Sequence, residues 1–173
     1  MIDVRAEIDK EIERTKLEIL VFGPAIDPPS PNPHTASLQL KRREIKRRLI
    51  EEGHSASFAE DIVDPSLPAP LADPLLQEIA AMRAADLIVI LVYSPGSILE
   101  AKTITGSKEL CPKAAFYCFE DHKGGLVVQH LQHMVAFGVS VQLVSLADVK
   151  ACHLTGAILE KVLAIQIAKA FLF

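Results

Sequence analysis

Apolar runs and helix-spaced stripes alternate along the 173-residue chain. Leu87 to Val92 (LIVILV) has no polar alternation, the mark of a central parallel strand covered on both faces by helices. Four further apolar segments read as strands: Leu17 to Phe22, Ser55 to Phe58, Ala114 to Phe119 and Val139 to Val144. Between them lie stretches of helical period. Residues 2–16 place Ile2, Val4, Ile8 and Ile12 among charges, a short amphipathic helix leading into the domain. Leu38 to Glu52 puts Leu38, Ile45 and Leu49 on one face and has Gly53 at its C-terminal cap. Pro74 to Arg83, a segment beginning near Ser97, one after Gly125 running to about Ala136, and a final one from Leu146 to Ala170 complete the helices.

Strands alternating with helices of this length indicate βαβ units and a parallel sheet. Right-handed crossovers then predict a three-layer, doubly wound, mostly parallel α/β sheet of five strands in the order 2-1-3-4-5, of the flavodoxin/Rossmann-like type. One domain covering residues 1–173 is expected, and no internal repeat is visible. Two segments interrupt the pattern. Gly23 to Ser37 carries five prolines and reads as irregular, and DPSLPAPLADP after the second strand reads likewise.

Composition narrows the function. Half the residues are hydrophobic, but only 5% are aromatic and tryptophan is absent, so the core is aliphatic and base-stacking platforms are scarce. The net charge of −4 argues against nucleic acid as a partner. Cys111, Cys118 and Cys152 form no CxxC pair, which suits reduced thiols in the cytoplasm. The charged start MIDVRAEIDKEIERTK is not a signal peptide, and no apolar run reaches membrane-spanning length. No membrane partner is expected.

In a doubly wound sheet, ligands bind beyond the carboxyl ends of the strands. That edge should collect Gly23 and Asp27, Glu60 and Asp61, Ser94 to Glu100, and Glu120 to His122, with carboxylates in excess. Neither GxxxxGK[ST] nor GxGxxG occurs, which disfavours a Walker-type nucleotidase and a standard dinucleotide site. Carboxylates without a glycine-rich phosphate cradle suit recognition of a sugar. Ser97-Ile98-Leu99-Glu100 has two readings. S-x-x-E at a helix start is a capping box, which needs no function; a glutamate beyond a central strand also stands where a catalytic acid would.

The block from Glu78 through Ala85-Asp86 and the apolar strand to Ser94-Pro95-Gly96-Ser97-x-x-Glu100 resembles the nucleoside 2-deoxyribosyltransferase-like families. There an acidic residue precedes an Ala-Asp pair, and a Ser/Gly-rich turn leads to a catalytic glutamate. The block is similar also to TIR-domain NAD hydrolases, and its PG-x-x-x-E element to the lysine-decarboxylase-like (LOG) phosphoribohydrolases. All three cleave N-glycosidic bonds on Rossmann-like sheets. The resemblance implies an N-glycosidase or deoxyribosyltransferase-like enzyme acting on a nucleoside, a nucleotide or NAD. Glu100 would be the nucleophile or the stabiliser of the oxocarbenium-like centre, Glu78 would hold or polarise the sugar or base, and Ser94 or Ser97 would bond a ribose hydroxyl or phosphate. Gly23, Asp27, Asp61 and Gly96 would complete the substrate-binding set. Ala101-Lys102 follows the glutamate where the deoxyribosyltransferases often carry Leu/Ile-Gly, and a proline-rich first loop replaces a glycine-rich one. Those departures motivate the alternative, a non-catalytic nucleotide-sensing or protein-interaction module (TIR/SLOG-like). A receiver-type phosphotransfer site using Asp27, Glu60 and Asp61 is disfavoured, because the third strand ends in Tyr93-Ser94 rather than an aspartate.

Three other features remain. Lys41, Arg42, Arg43, Lys46, Arg47 and Arg48 form a basic helix face, ordinarily solvated; Arg42 and Arg43, nearest the helix start, are the candidates for a substrate phosphate. His130 and His133, with His122, lack a fixed fourth ligand, so no metal and no cofactor is expected. Cys118 reads as a buried hydrophobe, and the terminal Phe171-Leu172-Phe173 as a docking segment against the core or a second copy in a homodimer.

Overall fold

The computed structural model of the chain describes residues 3–93, 95–120 and 124–172. Five parallel strands, β1 (Glu18–Phe22), β2 (Ser55–Phe58), β3 (Leu87–Val92), β4 (Ala114–Phe119) and β5 (Ser140–Val144), lie in the order β2-β1-β3-β4-β5. The order and the parallel sense are those expected from the strand–helix alternation. Val21 stands beside Val89 and Ile90 beside Phe116, so the apolar runs meet side by side. All six residues of β3 and all six of β4 are buried. Their alternation sends Leu87, Val89 and Leu91 to one face of the sheet, and Ile88, Ile90 and Val92 to the other.

Each face carries its own helical layer. Helices α2 (Pro33–Glu51), α6 (Leu146–Lys150) and α7 (His153–Phe171) cover the first face through Leu38, Ile45, Leu49, Val149, Leu154 and Ile158. Helices α3 (Pro74–Ala84), α4 (Pro95–Thr105) and α5 (Leu126–Met134) cover the second through Met82, Ala101, Ile104, Val128 and Leu131. The amphipathic α1 (Val4–Arg14) buries no residue and rests against α7, where the Gln166 amide donates to the carbonyls of Ile12 and Thr15. At the amino edge Asp86 accepts the Glu18 N–H at 2.9 Å and an ion pair from Lys169 at 2.7 Å, tying the start of β1 to the end of α7.

On the first face, two boundaries differ from the sequence reading. Helix α2 starts at Pro33 rather than Leu38, because the fifth proline of the loop occupies the first helical position, where its missing N–H costs nothing. Asn32 caps it, its side-chain oxygen accepting from the N–H groups of His34 and Thr35. The expected C-terminal helix is two helices. Ser145 and Asp148 close a capping box on α6, and the chain is extended at Ala151 before α7 begins. Among the described residues, no helix is long and apolar enough to cross a membrane.

Candidate active site

β1, β2 and β3 all end at one edge, and the order of strands reverses direction between β1 and β3. At this switch point lies a cavity of about 590 Å³. The β1 loop contributes Gly23 and Ala25. The turn after β2 contributes Ala59, Glu60 and Val63, α3 contributes Glu78, and the first turns of α4 contribute Gly96 and Glu100. Open α/β sheets bind ligands at such a crevice. A hollow of about 600 Å³ at the opposite edge is lined by Ile12, His54, Leu159 and neighbours on α1 and α7. It is larger by little, and no strand-to-helix loop converges on it, so the carboxyl edge is the stronger candidate.

The scaffold of the cavity is a buried arginine. Arg42 is fully buried, and its guanidinium makes a two-pronged bond to Glu60 at 3.0 and 2.9 Å. The same group donates to the carbonyls of Val21 at 2.7 Å, Pro24 at 2.6 Å and Gly23 at 3.3 Å. Glu60 in turn accepts the Ile26 N–H at 3.1 Å. One side chain thereby joins the end of β1, its proline-rich loop and the turn after β2. Gly23, at φ +153°, leaves room for it: a Cβ there would stand 3.0 Å from Arg42 Cδ and 3.2 Å from Leu91 Cβ.

The three cavity carboxylates differ in proton affinity. Burial alone would raise Glu60, but the bonds from Arg42 and from backbone N–H groups outweigh it and hold the carboxyl below its usual range. Glu78 is raised, by burial first and then by the Glu60 charge. Glu100 is pushed up to about 7, chiefly by burial, with Glu78 and Glu60 adding to the rise and Arg42 opposing it. Its Oε2 is buried and accepts no hydrogen bond. Ala101 and Ile104, packed in the core, orient α4 so that Glu100 faces the cavity one turn below Gly96. A buried carboxyl with a free oxygen and a proton affinity near neutrality can act as a nucleophile, a base or an acid at a substrate held there.

Ser97 does not cap α4. The helix begins two residues earlier, at Pro95, and the buried Ser97 hydroxyl accepts the Tyr93 N–H at 3.0 Å, tying the end of β3 to the first turn. Glu100 therefore closes no capping box, and the structural reading of S-x-x-E is replaced by a carboxylate turned toward the cavity. Ser94 lies outside the described residues, as do Asp121 and His122. Asp27 and Arg43 pair with each other at 3.1 Å on the exposed side of the loop, away from the cavity lining. Asp61 is turned to Lys46 at 2.6 Å and to the Phe58 N–H, so in the three-residue turn it is Glu60, not Asp61, that enters the cavity. Glu60 stands in the sequence immediately beyond the second strand, and that position was its only signal.

The basic face of α2 is paired throughout. Lys41 meets Glu44, Arg47 meets Glu51, and Arg48 meets Glu51 and Glu52. His130 contacts the Thr105 hydroxyl, and no group of three His, Cys, Asp or Glu among the described residues could hold a metal ion. Burial pushes the Cys118 thiol up to about 12, the environment of a core residue rather than a nucleophile.

No family model matches the chain, and no curated protein matches it. Fold and site together define a doubly wound α/β protein with an acidic cavity at its switch point.

Two outcomes test this geometry. Arg42→Met should destabilise the fold by about 2–4 kcal/mol in urea unfolding at pH 7, since it strands a partly exposed carboxylate and several carbonyls. A loss below about 0.5 kcal/mol would show that the loop stands without it. Glu100 binds its proton more tightly folded than unfolded, so its contribution to stability is full at low pH and falls as pH rises toward about 7. Glu100→Gln should therefore raise Tm at pH 8 and change it less at pH 5; an equal change at both would refute the raised proton affinity.

Proposed function

We propose that the cavity cleaves or transfers an N-glycosidic bond of a nucleoside, nucleotide or NAD-type substrate, with Glu100 at the anomeric carbon. The observation that carries this reading is the half-buried Glu100 carboxyl, whose Oε2 is buried without a hydrogen-bond partner, beside two further carboxylates at the switch point. The likeness of the Glu78-to-Glu100 block to the deoxyribosyltransferase-like, TIR-like and LOG-like enzymes supports the same chemistry.

In this mechanism ionised Glu100 attacks C1′ as the C1′–N bond breaks, and the bonding pair leaves with the base. Glu78, which loses its proton more readily than Glu100, is ionised alongside it and holds a sugar hydroxyl, and the departing nitrogen takes its proton from water. The glycosyl ester at Glu100 is then opened by water or by an acceptor base, with Glu78 receiving a proton from the attacking group. Glu60, kept ionised by Arg42, stabilises positive charge on the ribosyl centre. No cofactor takes part. Three unpaired thiols, Cys111, Cys118 and Cys152, fit a reducing compartment such as the cytoplasm. Leu163, Ile167 and Phe171 on α7 and Leu172 just beyond it, all exposed, are the surface through which a homodimer would form; Phe173 lies outside the described residues.

The alternative is a nucleotide-sensing or protein-interaction module on the same fold. It is favoured by the closed network around Arg42, which leaves the first loop without a guanidinium to offer a ligand.

Incubation with nucleosides, nucleoside monophosphates and NAD should release free base. Glu100→Ala should lower kcat/KM at least about 100-fold, and the wild-type value should rise with pH along a limb near 7. Equal inertness of wild type and Glu100→Ala across the panel would remove the catalytic claim. Thermal stabilisation by a nucleotide without turnover would favour the sensor.

A further inference from the structure

Resting on the glycosidic reading above, we infer that the cavity selects nucleosides, uncharged or cationic at the base, and rejects the same compounds bearing a 5′-phosphate. Among the described residues, the cations nearest the cavity, Arg42, Arg43 and Lys46, are engaged elsewhere. Arg42 is its nearest guanidinium, yet both terminal nitrogens are bound to Glu60 and to the carbonyls of Val21, Gly23 and Pro24, and its Nε is buried. Its charge is matched by Glu60. Arg43 and Lys46, one and four residues further along α2, pair with Asp27 and Asp61 and do not line the cavity.

What faces the ligand is therefore a set of acceptors. Glu78 and Glu100 have no ion pair among the described residues, and Glu100 Oε2 has no hydrogen-bond donor. A ribose hydroxyl supplies that donor, and a positively charged base is attracted by Glu78 and Glu60. A phosphate instead brings a dianion to carboxylates in a partly dehydrated recess. A like-charge pair about 8 Å apart at an effective dielectric of ~20 weakens binding about 30-fold. The first turn of α4 offers backbone N–H groups, which favour anions. Gly96 in that turn lies one helical turn above Glu100 on the same face, so an anion seated there meets the carboxylate directly.

The test measures Kd by calorimetry for two pairs: 2′-deoxyadenosine with its 5′-monophosphate, and nicotinamide riboside with nicotinamide mononucleotide. Base release is followed on the same samples. The nucleoside of each pair should bind at least tenfold more tightly at low salt. The ratio should shrink as salt screens the repulsion, and again in Glu78→Gln, which removes one carboxylate. Equal or tighter binding of the phosphorylated members overturns the selectivity, as does failure of all four to bind. Base release reports separately on the glycosidic reading, which stands if the phosphorylated compounds bind and are cleaved and falls if none of the four releases base.

Discussion

The site depends on one ion pair, the bond between Arg42 and Glu60. Among the described residues Arg42 is the largest fully buried side chain, and it is charged. Burying a guanidinium is costly unless every donor finds a partner. Here the two terminal nitrogens find partners on three separate pieces of chain, the end of β1, the proline-rich loop after it and the turn after β2, while the buried Nε has none. Satisfying Arg42 thus requires those pieces to sit where they do. The pair shapes a segment that would otherwise be an open, irregular loop.

Its second effect is electrostatic. By matching Arg42, Glu60 stays ionised, and it then acts on the two carboxyls across the cavity. Glu78 and Glu100 hold their protons more tightly chiefly because they are desolvated; Glu60 adds to the rise at both, while at Glu100 the neighbouring Glu78 adds more and Arg42 opposes it. The order of proton affinities follows from burial and from the position of a single cation. The cavity thus sets a carboxylate fixed as an anion, Glu60, beside one that ionises near neutrality, Glu100.

Much of this was legible before any coordinates. The strand–helix alternation specifies the layers and the parallel sense, and the run at Leu87 to Val92 a central strand, because an unbroken apolar run leaves no exposed face; the order 2-1-3-4-5 is one of two common to such sheets. Glu100 was legible through its place beyond the central strand. The missed features share a physical cause. Pro33 looks like part of the loop, yet Asn32 caps a helix that begins there, five residues before the apolar stripe starts at Leu38. Arg42 and Arg43 look alike in a basic run, yet helix geometry turns one wholly inward and leaves the other exposed. Asp61 and Glu60 are neighbours in a turn that points them in different directions. The S-x-x-E spacing was compatible with a cap, and only the start of α4 at Pro95 shows that Ser97 bonds the end of β3 instead. Adjacent polar residues in turns carry no period, so their directions are decided by packing.

The central claim is that Glu100 meets the anomeric carbon of a bound glycoside, and a crystal structure with an unreactive nucleoside analogue tests it most directly. The account predicts the sugar in the cavity between α3 and α4, with C1′ about 3–3.5 Å from a Glu100 carboxylate oxygen and the 5′-hydroxyl pointing out of the recess. A sugar bound elsewhere, or Glu100 turned back to the first N–H groups of its own helix with the ligand in place, would contradict it.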